Sequence, residues 1–232
     1  MLITRKSQER GHVNHGWLDS YHSFSFGGYY DPAHMGVSVL RVINEDRVSP
    51  SGGFAPHDHQ DMEIISYVLE GSLRHKDSMG NSSVIRPGEI QRMSAGTGVT
   101  HSEFNASDSE PVHFLQIWIQ PDVTGIAPSY EQTLFPEAEK RGRLRLVASP
   151  DGEAGSVTIH QNARLYCALV DGNEVDTHST KAGLHYYAQV AAGTVSINGV
   201  ALQAGDGATI TAEPEIRLSN GHGAEVLLFE LP

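Results

Sequence analysis

Two histidines one residue apart open the stretch HDHQDMEIISYVLEG, His57 to Gly71, and a carboxylate, Glu63, follows four residues after His59. A second pair of the same kind, His101 and Glu103, stands in HSEFN further along the chain. Imidazole nitrogens and carboxylate oxygens are the donors that borderline first-row divalent metals take. On a strand, residues i and i+2 project from one face. His57 and His59 can therefore reach one ion while Asp58 points away, and His101 and Glu103 can do the same while Ser102 points away. Two such strands lying side by side bring these groups together and leave positions on the ion open for a substrate or dioxygen. Spacing alone does not decide which carboxylate completes the set, because Glu63 and Glu103 both have a parity that permits it.

The elements that must position these groups are strands. Alternating polar and apolar runs dominate, with strands expected at 23–26 (SFSF), 112–119 (VHFLQIWI), 156–160 (SVTIH), 194–198 (TVSIN) and 225–231 (EVLLFEL). Glycine-containing turns separate them, and only 131–142 (EQTLFPEAEKRG) tolerates a helix, which Pro136 interrupts. The fold class is all-β. The series YVLEGSL, IRPGEI, FLQIWI is echoed by AQVAAGTV, LQAGDGATI, EVLLFEL, so the chain looks duplicated. A repeat of this size predicts two similar β-barrels in tandem, at 1–130 and 143–232, joined by a 131–142 linker. The donor pairs all fall in the first half; the second has no HxH or HxE pair and is expected to be metal-free.

Composition narrows the function classes. With 232 residues and 39% hydrophobic content the chain can bury a sizeable core. A net charge of −12 argues against direct nucleic-acid binding. The single cysteine, Cys167, lies in apolar RLYCALV and is expected to be buried and inert. No apolar stretch suits a signal peptide or a membrane span, so the expected setting is cytoplasmic, with no membrane contact. No assembly motif stands out, and a monomer is expected. Phe24, Phe26 and Trp118 are candidates for an apolar mouth above the metal, or for packing in the core.

The HxH motif with Glu63, followed by His101 and Asn105, resembles the two motifs of cupins. GWLDSYHSFSFGGYYDP (16–32), LRVINED (40–46), HKDSMGN (75–81) and QRMSAGTGVTHSEFN (91–105) resemble the characteristic blocks of the pirin family of bicupins. That resemblance implies two cupin barrels and one divalent ion held by His57, His59, His101 and Glu103. Fe(II) is the ion it implies, in a donor set that also accepts Mn, Ni, Cu or Zn. Glu63 then becomes a support residue, paired with a ligating imidazole or with Arg92. The activity implied is that of a quercetin 2,3-dioxygenase, with a flavonol and dioxygen as substrates and carbon monoxide released. Glu103 would act as the general base. The second reading, also implied by the family, is a metal-responsive regulatory protein that binds a transcription factor or a metabolic enzyme.

Overall fold

The computed structural model describes residues 1–232, and its regular structure is almost entirely antiparallel strand ladders. The chain divides into two compact units. One comprises Gly11–Leu134 with Val157–Gln161, the other Met1–Arg10 with Phe135–Ser156 and Asn162–Pro232. This differs from the two continuous halves expected on either side of a 131–142 linker. The first residues add a strand, Leu2–Arg5, to the second unit by pairing with Gly207–Ile210. The expected linker is itself structured: Ser129–Leu134 is a strand paired with Glu89–Ser94, and Glu137–Lys140 is one helical turn begun at Pro136. Val157–Gln161 returns to the first unit, where Asp122 N donates to His160 O at 2.9 Å and Gln161 Nε2 to Gln120 O at 2.8 Å.

The first unit is built of two sheets. The larger runs Ser129–Leu134, Glu89–Ser94, Glu63–Glu70, Val112–Ile119, Leu40–Val48, Leu18–His22, Gly11–Asn14 in spatial order. The smaller runs Gly53–His59, Val99–Asn105, Leu73–Asp77, Ser82–Ile85. Apolar residues from both sheets, among them Leu18, Val68, Leu73, Ile85 and Phe114, form one buried cluster. Along Val99–Asn105 the burial alternates, and the inward positions carry Val99, His101, Glu103 and Asn105. Three of these four inward residues are therefore polar, an expensive choice for core positions unless the polar groups are used.

The register of the smaller sheet places the donors. His101 stands opposite His57, and Val99 opposite His59. Two residues further on, Glu103 faces Phe54, so the Gly53–His59 strand carries one extra residue in a bulge that includes Pro56. A proline is admissible there because this strand is the sheet's edge. Gly53 lets the two donor strands approach: a Cβ at this position would sit 2.4 Å from Glu103 O and 2.5 Å from Phe104 Cα. Any side chain would push the strands apart.

In the second unit two long strands, His185–Ile197 and Glu215–Leu231, pair over most of their length and bend at successive register shifts. Their inward residues join Ala168, Val170, Leu202 and Ile210 in a single apolar core. Cys167 is buried, as expected. Of the sequence-predicted strands, Val112–Ile119 has the predicted bounds. Residues 194–198 and 225–231 fall in or at the end of longer strands, and only Val157–Thr158 of 156–160 is extended. Residues 23–26 form no strand. Phe26 and Tyr29 exchange backbone hydrogen bonds of 3.0 Å across Gly27–Gly28, with Gly27 at φ +56°, and this tight turn displaces the strand. No helix is long and apolar enough to cross a membrane.

Candidate metal centre

Three imidazoles converge where the two donor strands meet. His57, His59 and His101 each offer a ring nitrogen within 4.8 Å of the others. His57 Nδ1 lies 2.8 Å from Ala55 O; a carbonyl only accepts, so Nδ1 carries the proton and Nε2 presents a lone pair. His59 is fixed edge-on against the Trp118 ring, with centroids 5.0 Å apart. His101 is 2% exposed, and neither of its ring nitrogens has a hydrogen-bond partner. A buried imidazole without partners on either side is costly. Burial, with the neighbouring imidazoles, lowers His59 to about 4 and His101 to about 3, so both are neutral at pH 7. Neutral, convergent and unpartnered nitrogens fit a single divalent ion.

Glu103 falls in a second, overlapping group. Its carboxylate, His101 and His75 offer atoms within 4.8 Å of one another, so His101 belongs to both groups. Ser66 Oγ donates to Glu103 Oε1 at 2.9 Å and Gln116 Nε2 to Oε2 at 2.7 Å, which fixes both oxygens. Burial raises the Glu103 carboxyl to about 7; the Ser66 bond lowers it and the charge of Asp46 raises it. Asp46, also buried, is itself pushed up to about 7. His75 was not singled out by spacing, although the alternation in LRHKD (73–77) points it inward with Asp77. Its Nε2 lies 2.9 Å from Asp77 Oδ2, and its ring sits beside His101 and Tyr130 at centroid distances of 5.4 and 5.0 Å. A carboxylate behind an imidazole is the usual way a ring near a metal is oriented.

A cavity of about 680 Å³ opens onto His57, His59 and Glu103. Trp17, Phe26, Phe54 and Trp118 give it aromatic walls, and Phe26 meets Trp118 edge-on at 5.4 Å. Phe26 and Trp118 thus stand where a substrate mouth was expected. Phe24 does not: it is buried at 3% exposure and absent from the lining, because the turn at Gly27 breaks the alternation that would have put it on the face of Phe26.

The expected support roles of Glu63 and Arg92 are corrected. Glu63 lies across from Ser94, and Ile65 across from Arg92, on the sheet face opposite to the one by which Ser66 reaches Glu103. Glu63 accepts from Ser94 Oγ at 2.8 Å and lies 3.3 Å from His160 Nδ1, while Arg92 bonds Ser94, Ser129 and Glu131. Neither pairs with His57, His59 or His101. Ser66 stands three positions after Glu63, so strand parity sends them to opposite faces.

Two barrels in one chain, one of them holding a histidine-rich donor cluster that opens onto an aromatic cavity, define a bicupin of the metal-binding kind. The chain belongs to the pirin family: the Pirin model matches residues 3–119, and that of the quercetinase C-terminal cupin domain residues 146–231. It is 48% identical to the quercetin 2,3-dioxygenase of Escherichia coli strain K12, an alignment spanning 100% of this chain and 99% of that protein. The crystal structure of YhhW from Escherichia coli, also 48% identical, superposes with a TM-score of 0.96 over 100% of this chain and 98% of that one. The structure of the bacterial pirin YhhW in complex with nickel(II) gives a TM-score of 0.95, covering 100% and 99%.

Proposed function

We propose that this protein is a quercetin 2,3-dioxygenase that opens the heterocycle of a flavonol with dioxygen and releases carbon monoxide. The observation that carries the reading is that Glu103 and the imidazoles of His57 and His59 line one aromatic cavity. The relative named quercetin 2,3-dioxygenase, matched over its full length, supports the same activity. His57, His59, His101 and Glu103 would hold one divalent ion, with Fe(II) the proposed native metal. When bound there, that ion supplies the Lewis acidity and redox chemistry that bring an enolate and dioxygen to reaction.

The protein's own part is to place the flavonol and move its proton. Trp118 and Phe26 offer ring faces and edges to a planar substrate. Glu103, held on both oxygens by Ser66 and Gln116, takes the proton of the 3-hydroxyl. A carboxyl raised to about 7 is a stronger base than an exposed glutamate, and it works near neutral pH. The apolar walls exclude water from the developing enolate. The test is to load the protein anaerobically with Fe(II), add quercetin, admit air and follow the flavonol absorbance. Steady loss of absorbance is expected, and an unchanged spectrum would refute the assignment.

Metal uptake should also depend on pH in a way set by Glu103 rather than by His59 and His101. His59 and His101 are already neutral above about 4 and 3, so they release no proton to an incoming ion near neutrality. Glu103, raised to about 7, must lose its proton to ligate. Affinity is therefore expected to rise with pH by up to roughly tenfold per unit below about pH 7 and to flatten above it. Calorimetry in buffers of different ionisation enthalpy would show more proton released per ion at pH 6 than at pH 8. Affinity unchanged from pH 6 to 8 would contradict the ligand role of Glu103.

A further inference from the structure

The cavity has polar residues that the metal centre does not use. Leu18–His22 sends Ser20 and His22 into it, and the neighbouring Leu40–Val48 sends Asn44 and Asp46. The register sets Ser20 opposite Asp46 and His22 opposite Asn44. Asn44 in turn faces Gln116, and Gln116 faces Ser66, so one polar row crosses four strands and ends at Glu103.

Two members of this wall are incompletely satisfied. Asn44 is 4% exposed, and its Oδ1 is buried without a hydrogen-bond partner. Asp46, equally buried, accepts from Ser20 Oγ at 2.5 Å on Oδ1, and Oδ2 has no protein donor. A buried acceptor left open is costly, and a site built to accept from a ligand hydroxyl discriminates strongly against the analogue that lacks it. The surrounding wall is aromatic, so the ligand part that reaches these acceptors is a ring.

We propose that Asn44 and Asp46 form a hydroxyl-reading subsite, which accepts hydrogen bonds from a dihydroxyphenyl ring of the substrate. This rests on the reading of the cavity as a flavonol site and adds to it the residues that select among flavonols. The subsite sets affinity through the part of the substrate that does not react, while Glu103 acts on the part that does.

Binding tests it without turnover. Quercetin has two hydroxyls on its pendant ring and galangin has none. Their dissociation constants for metal-free protein can be read without air from quenching of Trp17 and Trp118, both in the cavity wall. In wild type, quercetin is expected to bind about tenfold more tightly than galangin, a ratio that falls towards one in Asn44→Leu and in Asp46→Leu. Both replacements keep side-chain bulk, and if one fails to fold the other decides. Equal affinities in wild type, no binding of either flavonol, or a tenfold ratio that survives in the folded variants would overturn the subsite. Wild-type turnover of quercetin together with any of these results leaves the enzyme reading standing and removes only the subsite. A ratio lost in the variants but no turnover in wild type does the reverse.

Discussion

Replacing His101 with alanine is expected to empty the protein of metal: content after dialysis should fall from about one ion per chain to less than about a tenth of that. His101 is the ring common to both donor groups, so its loss breaks each of them. Both of its nitrogens are buried without partners, so no hydrogen bond is sacrificed by removing it. The metal-free variant should therefore stay folded, and the deficit will show as lost affinity rather than lost protein. Elemental analysis of wild type and variant loaded side by side is the measurement. A Glu63→Gln variant loaded in parallel should keep its ion, because Glu63 is bonded to Ser94 and lies beside His160 on the other face of the sheet. Loss of metal from Glu63→Gln but not from His101→Ala would overturn the assignment of the centre.

Glu103→Gln is expected to lower flavonol turnover by about a hundredfold to ten-thousandfold, the usual worth of a general base. The change is small in shape. Ser66 can still donate to a glutamine oxygen, and Gln116 can turn its own amide to accept from the new NH₂. What the proposed mechanism loses is the basic oxygen that would receive the 3-hydroxyl proton, along with one anionic donor to the ion. Because the charge goes too, metal content has to be matched before rates are compared, by loading at excess ion. Steady-state assays on matched samples should then show the loss mainly in kcat. Equal kcat in variant and wild type would remove Glu103 from the chemistry.

The convergence of the candidate donors was legible in the sequence because it obeys the simplest rule of strands. His57 with His59, and His101 with Glu103, are i, i+2 pairs on two adjacent strands, and the register sets His57 across from His101. The same rule, applied to LRHKD, would have found His75 and Asp77; applied to LRVINED, it would have found Asn44 and Asp46. No familiar ligand spacing marks those residues. Glu63 misled for the opposite reason: its distance from His59 suits a metal motif, but it begins the next strand and faces the other side of the sheet. The all-β class and the Val112–Ile119 strand followed directly from alternation. The destination of the first residues did not, because nothing in MLITR names a partner, and the strand it pairs with, Gly207–Ile210, lies some two hundred residues away. At 23–26 the alternation is real, but the glycine pair that follows folds the chain back on itself.

One ion held by His57, His59, His101 and Glu103 is what, in the proposed function, makes this cavity a flavonol-cleaving site. The most direct test is the yield of carbon monoxide per quercetin consumed, measured on metal-loaded wild type and Glu103→Gln under air. One carbon monoxide per flavonol is expected from wild type, and almost none from the variant over the same interval. Flavonol loss without carbon monoxide, or equal yields from the two proteins, would contradict it.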